Sequence, residues 1–203
     1  RYTMNRMWEL FATHGAVCVG PCGCAASPRP RAVLPGSFNP LHHGHTALAA
    51  AAAHRLGAPV HFELSIANAD KPELAADVVE ARLRQFAAAG PVWVTRSATF
   101  VQKADLFPGA AFVLGWDTAV RVIDPKYYGG IDGLSAALRH LADRGCRFVV
   151  GGRIDAAGAF RVWDGGGLAD EFRALFEPLT EADFRADVSS TQLRAALHGE
   201  RGT

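Results

Sequence analysis

Long hydrophobic runs are missing from this 203-residue chain. No apolar stretch reaches the ~20 residues that carry a helix across a bilayer, so no membrane partner is expected. The Ala-rich "ALAAAAAHRLGA" is broken by His54 and Arg55, and since Ala is the best helix former it reads as a closely packing helix. A surplus of one charge is missing too. With 21 Lys and Arg against 20 Asp and Glu, the net charge is +1, which provides no electrostatic footprint for duplex nucleic acid. The first twenty residues lack the basic end, apolar core and small-residue cleavage site of a secretory leader. With only four Cys, cytoplasm is the default compartment. The chain opens at Arg1 rather than Met, as a trimmed or partial chain would.

Cys18, Cys22 and Cys24 lie close together with His14 just upstream, which raises a zinc site. Structural zinc draws on paired ligands from two separated loops, and no second pair follows. Ordinary reduced thiols are the favoured reading and no protein-held metal is assigned. Cys146, just before "RFVVGG", reads as core.

What is present is order from Arg31 onward. Residues 1–30 are weakly patterned, with one short helix at Met4 to Thr13, and end in the Pro-rich, basic "ASPRPRA". They read as an appendage or linker to a domain over 31–203. In that domain "RAVLPG", "PVHFELSIAN", "PVWVTR", "GAAFVLGW" and "CRFVVGGR" read as strands. Helices fall over "HTALAAAAAHRLG", Glu73 to Ala89, "DGLSAALRHLADRG" and Ser190 to His198. Strands alternating with helices argue for βαβ units, and continuous apolar strands argue for a sheet covered on both faces. The fold class is α/β: a doubly wound parallel sheet of about five strands with helices on both sides. In such sheets ligands sit beyond the carboxyl ends of the strands.

The loop after the first of those strands is "VLPGSFNPLHHGH", Val33 to His45. Gly36 and Ser37 allow a sharp turn, and Gly brings backbone N–H groups close to a phosphate. His42 and His45 open the next helix three residues apart, on one face, with Gly44 leaving room between them. A helix N-terminus offers free N–H donors and partial positive charge. A zinc pair would need a third protein ligand nearby, and His43 points elsewhere on the helix. Phosphate binding is therefore the reading taken.

G-x-F-x-P-x-H-x-G-H, here Gly36, Phe38, Pro40, His42, Gly44 and His45, resembles the signature of the nucleotidyltransferase superfamily of adenylyl- and cytidylyltransferases. "VSSTQLR", Val188 to Arg194, resembles its second signature. By itself that segment is a helix cap with an Arg on the same face. The resemblance implies a Rossmann-like fold and places Ser189, Ser190, Thr191 and Arg194 around the β- and γ-phosphates of ATP. It also implies ATP contacts at Gly36, Ser37, Phe38, Asn39 and Gly44.

"FVLGWDTAVRVIDPKYYGG" looks like the G-x-D segment of nicotinamide or nicotinate mononucleotide adenylyltransferases, often "GAD". Gly115 would then admit the nucleoside and Asp117 bind its sugar hydroxyls or amino group; an Asp that merely caps the next helix is the alternative. Trp116 replaces the usual Ala. Lys71 resembles in position a lysine near the phosphates, with a solvated Lys before Pro as the alternative. Lys71 and Trp116 are the candidate acceptor contacts. Trp93, Trp116 and Tyr127 are candidates to stack on a flat ring, or core. The "SYT" element of that group is absent.

The implied partners are ATP and a small phosphomonoester, with no nucleic acid and no membrane, and a homo-oligomer is compatible. The resemblance implies transfer of AMP to nicotinamide or nicotinate mononucleotide. His42, His45 and Arg194 would be catalytic, with Mg²⁺ carried by the substrate because no carboxylate cluster suggests a protein cage. Transfer to phosphopantetheine or a phospho-alcohol, and a nucleotide-binding module without turnover, stay open.

Overall fold

The computed structural model describes residues 4–67 and 72–184. In chain order the elements are α1 (Met4–His14), β1 (Ala16–Gly20), β2 (Gly23–Ala25), β3 (Ala32–Pro35), α2 (His43–Leu56), β4 (His61–Ser65), α3 (Ala76–Leu83) and β5 (Val92–Thr95). There follow α4 (Phe100–Leu106), β6 (Ala111–Leu114), α5 (Trp116–Val122), α6 (Ile131–Asp143), β7 (Arg147–Val150), β8 (Arg153–Ile154), β9 (Phe160–Arg161), α7 (Asp170–Arg173) and β10 (Phe176–Pro178).

Among the described residues eight strands form one sheet in the order β10-β7-β6-β3-β4-β5-β1-β2. From β10 to β5 every pairing is parallel. All five strands read from the sequence lie in that parallel block, and their apolar runs are explained by burial on both faces. One face packs Leu48, Ala49 and Ala52 of α2 with Val79 and Leu83 of α3. The other packs Ala104 of α4, Ala119 of α5 and Leu134, Leu138 and Leu141 of α6. The Ala run of α2 behaves as expected, bringing the helix close to the sheet, and Gly57 ends it in the left-handed conformation (φ 60°) that Gly adopts without strain.

The sheet is wider than five strands. Residues 1–30 read as an appendage, yet within them β1 pairs antiparallel with β5 and β2 with β1. Met7 and Phe11 of α1 are buried in the same core as α2 and α3. The alternation in "AVCVG" is short and Gly-flanked, so it carried no strand signal strong enough to read. The helix expected over Glu73 to Ala89 starts at Ala76 and tightens into a 3₁₀ turn at Arg84–Phe86. The helix expected from Ser190 to His198 lies outside the described residues.

The chain runs β3, β4, β5 toward one edge and then crosses to lay β6 on the other side of β3. The switch point is thus between β3 and β6, with the loops beginning at Gly36 and Gly115 flanking it. Crevices at such points are where doubly wound sheets take ligands.

Candidate active site

His42 is the N-cap of α2, and its extended backbone (φ −142°) ends the loop. Its Nδ1 accepts the Gly44 N–H at 3.1 Å, and His45 Nδ1 accepts the His42 N–H at 3.2 Å. This is a reciprocal capping box built from two imidazoles, where Ser/Thr and Glu/Gln are usual. A backbone N–H can only donate, so each Nδ1 presents a lone pair and each neutral ring carries its proton on Nε2. The two rings stack with centroids 3.8 Å apart and planes 29° from parallel. Burial, and then the neighbouring His42, hold the His45 imidazolium down to about 4. His45 is therefore a neutral donor at pH 7, and its cap bond requires that state.

Phe38 explains the aromatic of the first motif. Its ring is 1% exposed and meets His45, Phe62 and Phe86 edge-on at 5.1, 5.6 and 5.0 Å. It seats His45 from below. Its φ of +46° is left-handed, a conformation costing a bulky residue ~1–3 kcal/mol unless its surroundings hold it. Gly36 is part of that hold, because a Cβ there would lie 2.8 Å from two carbons of the Phe38 ring. The Gly36 N–H donates to the Glu63 carbonyl at 3.0 Å, tying the loop to β4. Ser37 and Asn39 are exposed along the loop, and Gly44 is buried under the helix start.

Two bracing residues carried no sequence signal. Gln85 accepts the Leu41 N–H at 2.8 Å and donates to the Phe38 carbonyl at 3.1 Å. Arg82 Nη1 donates to the Ser37 carbonyl at 2.8 Å. Both sit some forty residues downstream in an exposed-looking helix, and only tertiary contact reveals them.

Across the switch point, Gly115 is the N-cap of α5 in an ordinary extended conformation (φ −76°). A Cβ there would meet nothing within 4 Å. The fold itself does not require Gly at this place, which leaves open space beside the backbone. Asp117 is in the first turn of α5 but makes no side-chain cap. Its carboxylate pairs instead with Arg153 at 3.6 Å. The Arg153 guanidinium lies 5.0 Å from the centre of the Trp116 ring, whose other contact is an edge-on Trp163 at 5.2 Å. Trp116 is thus half-buried between a cation and an aromatic. Arg153 and Trp163 carried no motif of their own.

Other expected contacts fall differently. Trp93 is 1% exposed, with its indole N–H on His61 Nδ1 at 3.2 Å and Arg29 over its face. It is a core residue of β5 and does not face a ligand. Tyr127 is exposed, under Lys126. Lys71, Ser189, Ser190, Thr191 and Arg194 lie outside the described residues. All four Cys are free; burial pushes Cys18 up to about 11, where it is a thiol. Among the described residues no three His, Cys, Asp or Glu side chains come together to hold a metal, and no helix is long and apolar enough to cross a membrane.

The chain folds as a doubly wound, mostly parallel α/β sheet of the Rossmann-like kind with an imidazole-capped helix at its switch point. The cytidylyltransferase-like family model matches residues 33–196, a span that includes both motifs, and the chain belongs to that family. No curated protein matches the chain at a significant level.

Proposed function

We propose that this nucleotidyltransferase is an adenylyltransferase that moves AMP from ATP to nicotinamide or nicotinate mononucleotide, giving NAD or its acid form. The observation that carries the transfer chemistry is the reciprocal cap of His42 and His45, which fixes two imidazoles at a helix start through their Nδ1 atoms. The acceptor assignment rests on the likeness of the Gly115–Asp117 segment to that group.

The acceptor phosphate is mostly dianionic at pH 7, its second pKa being ~6, so it needs no general base. One of its oxygens attacks the α-phosphorus in line, the bond from that phosphorus to the bridging oxygen breaks, and pyrophosphate leaves. Catalysis is then positioning plus stabilisation of charge on phosphoryl oxygens. Neutral N–H donors suit that task, since they follow the charge without giving up a proton. His42 and His45 would bind the α- and β-phosphates, and Arg194 the departing pyrophosphate. Mg²⁺ would arrive with ATP and be held by phosphate and water, because no acidic cluster among the described residues offers it a cage.

Trp116, which stands where the mononucleotide enzymes often carry Ala and has Arg153 over its face, supports a second acceptor. Purified protein with ATP or CTP and each of nicotinamide mononucleotide, nicotinate mononucleotide and phosphopantetheine, read by pyrophosphate release, separates the readings. Release with either mononucleotide supports the assignment; release with phosphopantetheine alone moves it to the second acceptor. ATP binding with no release from any acceptor would leave a nucleotide-binding module.

A further inference from the structure

Glu63 ties together two loops at the carboxyl edge of the sheet. Its carbonyl receives the Gly36 N–H of the phosphate loop. Its carboxylate, 1% exposed, takes Lys103 Nζ at 2.8 Å on each oxygen and a short bond from the Thr95 hydroxyl. Lys103 reaches in from α4 and uses its remaining donor on the Ser97 carbonyl at 2.6 Å. The Ser97 N–H closes the circuit on Thr95 Oγ1 at 3.2 Å. Every ammonium donor is used.

A buried ion pair is a poor device for stability alone, because well-packed apolar residues often serve as well or better. Ala104 and Phe107 already bind α4 to the sheet by apolar contact. The pair does something those residues cannot. It fixes both the carbonyl and the amide of Ser97, in the loop between β5 and α4, relative to the strand that anchors Gly36. β4 and β5 lie next to β3 in the sheet, so the loops at their carboxyl ends border the same edge as the loop that begins at Gly36.

We infer that Glu63 and Lys103 are positioning residues for the acceptor. They hold residues 96–99 as one wall of the subsite for the phosphomonoester, in register with the phosphate loop. This rests on the transfer reaction proposed above.

The test is the variant E63Q/K103M, which removes both charges together and leaves an acceptor for Thr95. Thermal melting, amide hydrogen exchange over residues 96–102 and pyrophosphate-release kinetics are measured with ATP against each acceptor named above. The expected result is faster exchange at residues 97–99 and an acceptor KM raised roughly tenfold to a hundredfold, the scale of a ~1 Å misplacement. The KM for ATP should stay within about twofold if the donor loop is untouched. Acceptor and ATP parameters falling together, or neither moving, would overturn the inference. T95V, which removes a single hydroxyl, is the second variant and should shift acceptor KM in the same direction. Calorimetric binding of nicotinate mononucleotide separates the two ideas. Wild type that binds it without releasing pyrophosphate counts against the reaction alone, whereas equal affinity in wild type and T95V counts against the loop. Wild type that binds none of the acceptors overturns both.

Discussion

Gly36→Ala tests how the loop between β3 and α2 is built. The added methyl would lie 2.8 Å from two carbons of the Phe38 ring and 3.3 Å from a third. Ordinary contact requires the ring to retreat by roughly 0.6 Å in an interior packed near crystal density. Phe38 has little room to do so, since Phe62 and Phe86 hold it edge-on and His45 rests on it. Overpacking of this kind costs about 1–3 kcal/mol. For a chain of this length that lowers Tm by about 2–4 °C per kcal/mol, so a fall of roughly 5 °C is expected by calorimetry. The displaced ring carries His45 with it, and misplacement on that scale should lower turnover at least about tenfold. Gly57→Ala is the control. Its φ of 60° also disfavours a side chain, but nothing lies within 4 Å of the new methyl. It should lose about 1 kcal/mol with kinetics unchanged. Wild-type turnover in Gly36→Ala, or equal loss in both variants, would refute the seating of His45 on Phe38.

Three further outcomes follow from the same geometry. His42→Asn keeps a good helix cap but removes the Nε2 donor, so melting should hold while turnover falls about 10²–10³-fold, the usual loss for one such donor; intact turnover would show that His42 only caps. Because the folded pKa of His45 is depressed from 6.5 to about 4, the unfolded chain binds the extra proton first as pH drops. Stability is then flat above about 6.5 and declines from there toward 4, by at most ~3 kcal/mol and less after solvent screening of the half-buried ring; His45→Gln should flatten that slope in urea titrations, and an unchanged slope would place the proton elsewhere. Arg153→Ala should alter tryptophan emission by uncovering Trp116 while changing stability by under ~1 kcal/mol, and a stability loss several times larger would show that the guanidinium is structural.

Much of the parallel block could be read in advance, because "GAAFVLGW" or "CRFVVGG" must be covered on both faces and so declares itself by composition alone. The site was partly readable for the same kind of reason. Three-residue spacing puts His42 and His45 on one helical face whatever else the fold does. Their role as each other's cap was not readable, since it depends on which nitrogen meets which backbone N–H. That the Phe38 ring is the seat of His45 is not legible, because a motif records that a residue is required and not which way it points. Trp93 had the chemistry of a stacking ring, but its place in β5 buries it. Glu63, Lys103, Gln85 and Arg153 have no local pattern, and their significance arises from strands and helices meeting over long sequence separations. The hairpin of β1 and β2 is not legible, because two short strands rich in Gly and Cys resemble a loop until an open sheet edge is there to receive them.

His42 and His45 are proposed to grip one triphosphate together with Arg194 from the distant second motif. A crystal structure with a non-hydrolysable ATP analogue tests it most directly. Nε2 of both imidazoles and the Arg194 guanidinium are expected within hydrogen-bonding distance of the same triphosphate chain. A triphosphate bound elsewhere, or imidazoles and guanidinium facing separate cavities, would contradict it.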